Sequence, residues 1–401
     1  MIKIKQLFKR DSIENPSGEL SLRLRDSVFI RRIRPDARIA ITAGSRGING
    51  IDALIRAVAD VLKDAGAKPF VVPAMGSHGG ATPDGQREML ESFGITEDAV
   101  GVPIMSSMET EITGITSAGE NVYMDKNAFD ADGIVVMNRI KLHTAYRGKV
   151  ESGLCKMVSV GLGKRDGAES IHRQGLGDVI VESFRVSRDT GKLLFGIGIL
   201  ENAFDETCEF RIAGPDEFET VDSELLEKCT QIMPRIPFDE FDILIVDEIG
   251  KNLSGTGMDT NVIGFWRRIG GERKPDYKTL IVRDLTEESH GNALGVGFAD
   301  LVTRRLFNKI DFSATYTNGI TTGNWSTVRL PITLETDSLC VTTALNKHTE
   351  GTARIVRIKN TLELEELYIS EPLLEEAEHR ENLEITGEPE EMKFDSDGNL
   401  I

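Results

Sequence analysis

Residues 37–76 read ARIAITAGSRGINGIDALIRAVADVLKDAGAKPFVVPAMG, and this stretch decides the fold. Its first eight residues predict a short apolar strand, and its last nine, KPFVVPAMG, predict a second one. Between them, apolar residues recur at helical spacing from Ile51 to Leu62, and Gly66 is placed to end the helix. A strand–helix–strand crossover of this kind is typical of a parallel sheet.

The same alternation of strand and helix patterns continues along the chain. Thr82 and Pro83 are typical of the N-cap and first residue of a helix, which we predict to run through Phe93. Four further apolar runs predict buried strands: GIVVMN near residue 133, LLFGIGIL near 193, FDILIVDEIG from 241 and TLIVRDL near 279. We therefore predict an α/β fold with mainly parallel sheets.

The stretch at residues 213–239 is rich in Asp, Glu and Pro and predicts a boundary between two α/β domains. We assign residues 1–238 to a cofactor-binding and catalytic domain and residues 239–370 to a second α/β domain. Residues 371–401 form an acidic segment, for which packing back on the first domain is one alternative. Because small-molecule sites favour clefts between domains, we expect an interdomain cleft.

The composition excludes several classes of function. A net charge of −18 over 401 residues makes non-specific binding to nucleic acid or to an anionic membrane unfavourable. No apolar run approaches the roughly 18 residues of a membrane span, and the basic first residues lack the apolar core of a signal peptide. The four cysteines have no zinc-site spacing. We expect a cytoplasmic protein without nucleic-acid or membrane partners.

Polar segments follow the predicted strands, where ligands bind in open α/β sheets. Five of them stand out: GSRG at 44–47, GSHGG at 76–80, NRIKLH at 138–143, ESGLCKMVSVGLGKRDGAESIH at 151–172 and GKNLSGTG at 250–257. They contain three of the six histidines. Histidine transfers protons near neutral pH, arginine grips carboxylates, and glycine-rich turns bind phosphate. The residues indicate an anionic ligand and proton transfer, but they do not choose a reaction.

The arrangement of these segments resembles that of the lactate racemase family of nickel-pincer racemases and epimerases. In that family an arginine loop precedes a histidine loop by some thirty residues, and here Arg46 and His78 are 32 residues apart. A second histidine then precedes a glycine-flanked lysine, and a third histidine follows that lysine. Here His143 precedes Lys156, and His172 lies 16 residues after the lysine.

The resemblance implies a reaction, a cofactor and a role for each residue. The reaction is inversion at C2 of a small 2-hydroxy acid by reversible hydride transfer. The cofactor is a pyridinium mononucleotide that holds Ni(II) through sulfur, carbon and sulfur, is covalently tethered to a lysine, and is made by separate biosynthetic proteins. By position, the tether is Lys156, the nickel ligand is His172, the acid/base pair is His78 and His143, Arg46 holds substrate or cofactor, and Gly153, Gly161 and Gly163 line the cofactor.

The sequence departs from the family pattern in three places, the first of which is Ala43, where the arginine loop commonly carries an acidic residue. Lys156 lies 13 residues after His143, a longer spacing than in the type enzyme, so Lys149 and Lys164 are alternative tethers. In the second domain GKNLSGTGMDTNVIG replaces the family's substrate-binding segment. The candidate substrate contacts there are Lys251, Asp259, Asn261 and Trp325. Their hydrogen-bonding groups favour a longer acid, such as a sugar acid, over lactate.

Two alternatives and the oligomeric state stay open. One alternative is a catalytically silent relative that binds a phosphorylated ligand. The other is a nicotinamide-dependent dehydrogenase, but no GxGxxG motif follows a predicted strand with an acidic residue about twenty positions later. Each candidate residue also has an ordinary structural explanation, such as a helix cap for His78 or a surface ion pair for Arg46. A homo-oligomer is compatible with the sequence.

Overall fold

The computed structural model describes residues 1–401, except the side chain of Thr322. It contains two compact units: an N-terminal unit, Lys9–Met233, and a C-terminal unit, Met1–Phe8 with Pro234–Ile401. The chain passes from one to the other within the predicted boundary stretch. The division differs from the prediction in Met1–Phe8, because strand β1 (Ile2–Gln6) pairs with strands from the end of the chain. Residues 371–401 also belong to the C-terminal unit.

The N-terminal unit is built on a five-stranded sheet in the order β3-β2-β6-β7-β8, in which only β8 is antiparallel to its neighbour. A separate antiparallel pair consists of β4 and β5. The strands are β2 (Arg38–Ala43), β3 (Lys68–Pro73), β4 (Thr110–Ile115), β5 (Asn121–Asp125), β6 (Gly133–Arg139), β7 (Leu193–Glu201) and β8 (Thr207–Ala213). The helices are α1 (Pro16–Asp26), α2 (Ile51–Asp64), α3 (Pro83–Ser92), α4 (Glu97–Val100), α5 (Lys126–Phe129), α6 (Leu154–Lys156), α7 (Lys164–Gln174), α8 (Asp178–Arg188) and α9 (Phe218–Ile232).

Helices cover both faces of this sheet, which explains why its strands read as unbroken apolar runs. Side chains of a strand alternate between faces. In β2, Ile39 and Ile41 pack in a core cluster with Leu54 of α2, whereas Ala40 packs in a second cluster with Leu154 of α6. The predicted strand–helix–strand crossover at residues 37–76 is therefore confirmed, with a parallel register between its two strands.

The C-terminal unit is an eight-stranded mixed sheet in the order β12-β11-β10-β9-β13-β14-β1-β15. Its first five strands are parallel, and the last three join by antiparallel pairing. The remaining strands are β9 (Ile243–Ile249), β10 (Thr279–Leu285), β11 (Leu301–Thr303), β12 (Ile332–Leu334), β13 (Ile355–Ile358), β14 (Glu366–Ile369) and β15 (Leu383–Ile385). The remaining helices are α10 (Thr260–Ile263), α11 (Trp266–Ile269), α12 (Arg304–Asn308), α13 (Phe312–Thr322), α14 (Asp337–Leu345) and α15 (Leu374–Glu378).

The predicted fold class, α/β with mainly parallel sheets, is confirmed in both units. The interdomain cleft stays a prediction. Within the described part of the chain, no helix combines the length and the apolar character that crossing a membrane requires.

The position of β1 generates a prediction about stability. Ile4 is fully buried between β14 and β15, so Ile4→Ala removes packing that the C-terminal unit cannot replace. We expect this change to lower the free energy of unfolding of that unit by about 2–5 kcal/mol. Hydrogen exchange of peptides from β14 and β15 in denaturant measures the effect. Leu362→Ala, at an exposed position of the same unit, is the control and should change it by less than about 0.5 kcal/mol.

Candidate functional site

The segments that follow β2, β3 and β6 meet at the carboxyl edge of the N-terminal sheet. The Asn138 amide donates to the carbonyl of Gly153 at 2.8 Å, and the Gly76 N–H donates to the carbonyl of Gly161 at 3.1 Å. A side chain at Gly44 would come within 3.0 Å of Met157 Cε. The loops that carry Arg46, His78 and His143 are therefore packed around one segment, residues 153–163.

Lys156 lies in an unusual stretch of helix. It is the last residue of the short α6, and Met157–Gly161 continue as one turn of π-helix, a form enriched at functional sites. The fully buried carboxylate of Asp222, on α9, accepts hydrogen bonds from the main-chain N–H groups of Leu154 and Cys155 at 2.7 and 2.9 Å. Burial raises the pKa of Asp222 to about 6, and these hydrogen bonds oppose that rise. Asp222 therefore fixes the main chain that leads into Lys156.

The three glycines predicted to line the cofactor are required by contacts within the protein. A Cβ on Gly153 would lie 2.3 Å from Asp222 Oδ1. A Cβ on Gly161 would lie 2.7 Å from the carbonyl oxygen of Ala74, and one on Gly163 would lie 2.4 Å from that of Ser159. Their lack of side chains is explained without a ligand, and their contact with a cofactor stays a prediction.

Electrostatic coupling places four of the basic side chains in one site. Burial, together with the positive charges of Lys141 and Arg46, lowers the pKa of Lys156 to about 7, against an opposing effect of Glu151. Burial and Lys156 also lower the pKa of His172. Such effects fade beyond roughly 10 Å, because solvent and salt screen charges that are farther apart. The predicted tether Lys156 and the predicted nickel ligand His172 are thus neighbours.

Arg46 stands at the outer side of this group. Its side chain reaches solvent, but burial of part of the guanidinium and the charge of Arg139 lower its pKa. Arg139 itself is ion-paired with the buried Glu201. Among the ion pairs of the described residues, none involves Arg46 or Lys156. Neither cation is therefore in direct ion-pair contact with a carboxylate of the described residues, although Glu151 favours the charged form of Lys156 from a greater distance.

The loop of His143 is held by an acidic residue that the sequence did not single out. The main-chain N–H of His143 donates to Glu151 Oε2 at 2.6 Å, and the hydroxyl of Tyr146 donates to the Glu151 carbonyl at 2.7 Å. The His143 ring packs on Tyr146 with centroids 4.4 Å apart, and its Nδ1 accepts the N–H of Ala145 at 3.0 Å. A neutral His143 with this hydrogen bond carries its proton on Nε2.

The alternative tethers are placed differently from Lys156. Lys164 is fully buried and forms an ion pair with Asp125 at 3.0 Å. Its amine is therefore already engaged inside the protein and is not open to a cofactor. Lys149 is exposed on the loop after His143. His78 is exposed in the loop after β3, and its carbonyl accepts the amide of Gln86 at 3.2 Å. Of the three candidate lysines, Lys156 is the one whose charge lowers the pKa of His172.

The candidate substrate contacts of the C-terminal unit take part in the structure of their own loops. Lys251 Nζ donates to the carbonyl of Gly255 at 2.9 Å and to Asn318 Oδ1 at 3.0 Å. Asp259 is the N-cap of α10 and accepts both the main-chain and the side-chain N–H of Asn261. Trp325 is 70% exposed. These four residues belong to a different compact unit from His78, His143, Lys156 and His172, and their contact with substrate stays a prediction.

The pKa of Lys156 predicts its chemical reactivity. Only the uncharged amine attacks an acylating reagent, so labelling of Lys156 should rise through about pH 7 and level off above pH 8. An ordinary lysine, with a pKa near 10.4, should gain roughly tenfold per pH unit over that range. Mass spectrometry of the labelled peptide measures the profile. Lys141→Gln removes a neighbouring positive charge and should move the midpoint to higher pH. A profile that still rises steeply between pH 8 and 10 would contradict the assignment.

Comparisons with known proteins agree with the fold and give a family. A structure of the lactate racemase apoprotein from Thermoanaerobacterium thermosaccharolyticum is similar at 12% identity over 70% of this chain and 74% of that chain, with a TM-score of 0.48. A crystal structure of a Thermotoga maritima protein is similar at 12% identity over 69% and 72% of the two chains, with a TM-score of 0.51. At such identity, the second likeness shows a common fold alone. A search of curated proteins gave no match.

The family match covers the segments that build the candidate site. The model described as "Domain of unknown function (DUF362)" matches residues 43–252, from the end of β2 to the loop after β9. This range contains Arg46, His78, His143, Lys156 and His172. Since the match spans just over half of the chain, this protein belongs to the DUF362 family.

Proposed function

We propose that this protein is a racemase or 2-epimerase that inverts C2 of a 2-hydroxy carboxylate with a nickel-pincer nucleotide tethered to Lys156. The observation that carries the proposal is the electrostatic effect of the Lys156 amine on His172, in a segment that packs at the carboxyl edge of the sheet. Acylation of a lysine requires the uncharged amine. Because burial and two neighbouring cations lower the pKa of Lys156 to about 7, about half of the amine is uncharged at neutral pH.

The residues of the site fit the proposed cofactor. The nickel-pincer group of the lactate racemase family would bring sulfur and carbon donors of its own, and His172 would supply the one further ligand to Ni(II). The described residues contain no cluster of three His, Cys, Asp or Glu side chains that could hold a metal ion. Burial lowers the pKa of His172 and so favours neutral imidazole, the form that binds metals.

The protein side chains would bind the substrate and move its hydroxyl proton. When bound, the cofactor would supply reversible hydride acceptance for C2. Arg46 would hold the carboxylate with two parallel hydrogen bonds. His143 would exchange the hydroxyl proton at Nε2, since its Nδ1 is occupied by the N–H of Ala145. His78 would do so for the opposite enantiomer, whose hydroxyl points to the other side.

The cationic surroundings support an anionic ligand in a chain that is otherwise acidic. Arg46, Lys141 and Lys156 lie together, although the chain as a whole has a net charge of −18. Lys251, Asp259, Asn261 and Trp325 are proposed to contact the rest of the substrate and to favour a longer or sugar acid. The proposed partners are the proteins that synthesise the cofactor, in the cytoplasm, and a homo-oligomer stays open.

Intact mass and nickel content test the proposal. The protein is co-expressed with the cofactor-synthesising enzymes of a lactate racemase system. We expect a mass adduct that maps to Lys156, about one nickel per chain, and racemisation of at least one acid in a panel of 2-hydroxy acids and aldonates. Neither adduct nor nickel, under conditions that load a lactate racemase, would contradict the proposal and favour a silent relative that binds phosphorylated ligands.

Substitutions separate the roles of tether and ligand. Lys156→Ala should abolish both the adduct and activity, because it removes the amine that forms the covalent bond. His172→Ala should lose most of the nickel but keep the organic adduct. Lys149→Ala, which removes an exposed lysine of the same region, is the matched control and should leave both unchanged. Full activity of either Lys156→Ala or His172→Ala with cofactor supplied would refute that residue's assignment.

A further inference from the structure

A buried ammonium group joins the His78 loop to the segment that carries Lys156. Lys164 begins α7, immediately after the π-helical turn, and its side chain is fully buried. Its Nζ donates to the carbonyl of Pro73, the last residue of β3, at 2.5 Å and to Gln86 Oε1 at 3.0 Å. The carboxylate of Asp125, at the end of β5, lies 3.0 Å away. If the Lys164 side chain turned away, the buried carboxylate of Asp125 would lose its ion-pair partner.

The side chain of Gln86 extends this network to the loop that carries His78. Gln86 is fully buried on α3, and its carbonyl oxygen accepts from Lys164. Its amide nitrogen donates to the carbonyl of Gly76 at 2.8 Å and to that of His78 at 3.2 Å. One glutamine therefore connects the ammonium to two carbonyls of the loop that carries His78. A leucine of similar size would fill the space without making any of these bonds.

The Lys164–Asp125 ion pair holds two opposite charges in the interior of the protein. Burial lowers the pKa of Lys164 and raises that of Asp125, and the attraction between the two opposes both changes. A buried charge is stable only when it is paired and hydrogen-bonded. Lys164 also adopts a φ of +52°, which is uncommon for a residue other than glycine. Its position is therefore maintained by its side-chain partners.

We infer that Gln86, held by Lys164 and Asp125, is a positioning residue that fixes His78 relative to the Lys156 segment. The inference rests on the proposed function for the catalytic role of His78, but the mechanical link itself does not depend on it. A second link acts in parallel, since the Gly76 N–H donates to the carbonyl of Gly161. Loss of Gln86 should therefore loosen the loop without unfolding the unit.

The variant Gln86→Met tests the inference because it keeps the shape of the side chain but removes its hydrogen bonds. Gln6→Met is the matched control. Gln6 is also buried, and its amide also donates to two main-chain carbonyls, those of Leu364 and Arg235, but in the C-terminal unit. Substitution of Lys164 is a poorer test, because it would leave the buried carboxylate of Asp125 without its ion-pair partner and could prevent folding.

The first measurement is hydrogen exchange of the protein without cofactor. We expect Gln86→Met to speed exchange in residues 76–81 by tenfold or more, while Gln6→Met leaves that segment unchanged.

The second measurement is the kinetics of the cofactor-loaded enzyme, in which Gln86→Met should lower kcat at least tenfold and change KM less than twofold. Unchanged exchange in residues 76–81 would overturn the inference, as would faster exchange with an unchanged kcat. If the wild-type protein never loads cofactor, the proposed function fails, and the exchange result alone decides whether Gln86 fixes the loop.

Discussion

The carboxylate of Asp222 is the interaction on which the candidate site depends. It is fully buried on α9 and accepts two main-chain N–H groups at the start of the Lys156 segment. Placing a carboxyl group in the core is costly, and that cost is offset only while both N–H groups point at it. The same carboxylate leaves no space for a side chain at residue 153. Hence one buried acid fixes the main chain of Leu154 and Cys155, the two residues directly before Lys156.

The site concentrates positive charge in an acidic protein. Most lysines and arginines of the chain are paired with carboxylates at the surface, where such pairs contribute little to stability. Arg46 and Lys156 are exceptions among the described residues, and their mutual repulsion disfavours the charged amine. A local patch of opposite sign to the rest of the protein focuses the field on anions that approach it. The arrangement therefore has a local electrostatic cost, and it is the arrangement that the proposed binding of an anionic substrate requires.

Much of the fold was predictable, because apolar periodicity reports burial directly. The crossover at residues 37–76, the strands from residues 133, 193, 241 and 279, and the segments around Arg46, His78 and Lys156 were all identified from local pattern. The partners Asp222, Gln86 and Glu151 were not. Each of these side chains acts by hydrogen bonds to main-chain groups or to residues distant in the sequence. Such contacts produce no periodic pattern in the amino-acid sequence. Asp222 also lies in a stretch that its acidic composition marked as a boundary. The pairing of β1 was missed for the same reason, since five residues carry no information about a strand more than 350 positions away.

The location of β1 makes the N-terminal unit an insertion within the C-terminal one. Gln6 is already bonded to Arg235 and Leu364, so the chain leaves the C-terminal sheet after β1 and returns to it more than 220 residues later. During synthesis, the first strand emerges long before the strands on either side of it exist. The inserted unit can fold from its own crossovers in the meantime, whereas the eight-stranded sheet has to wait until residue 385 has been made. A chain truncated near its end would leave β1 as an uncovered edge, with unpaired main-chain groups open to pairing with other molecules.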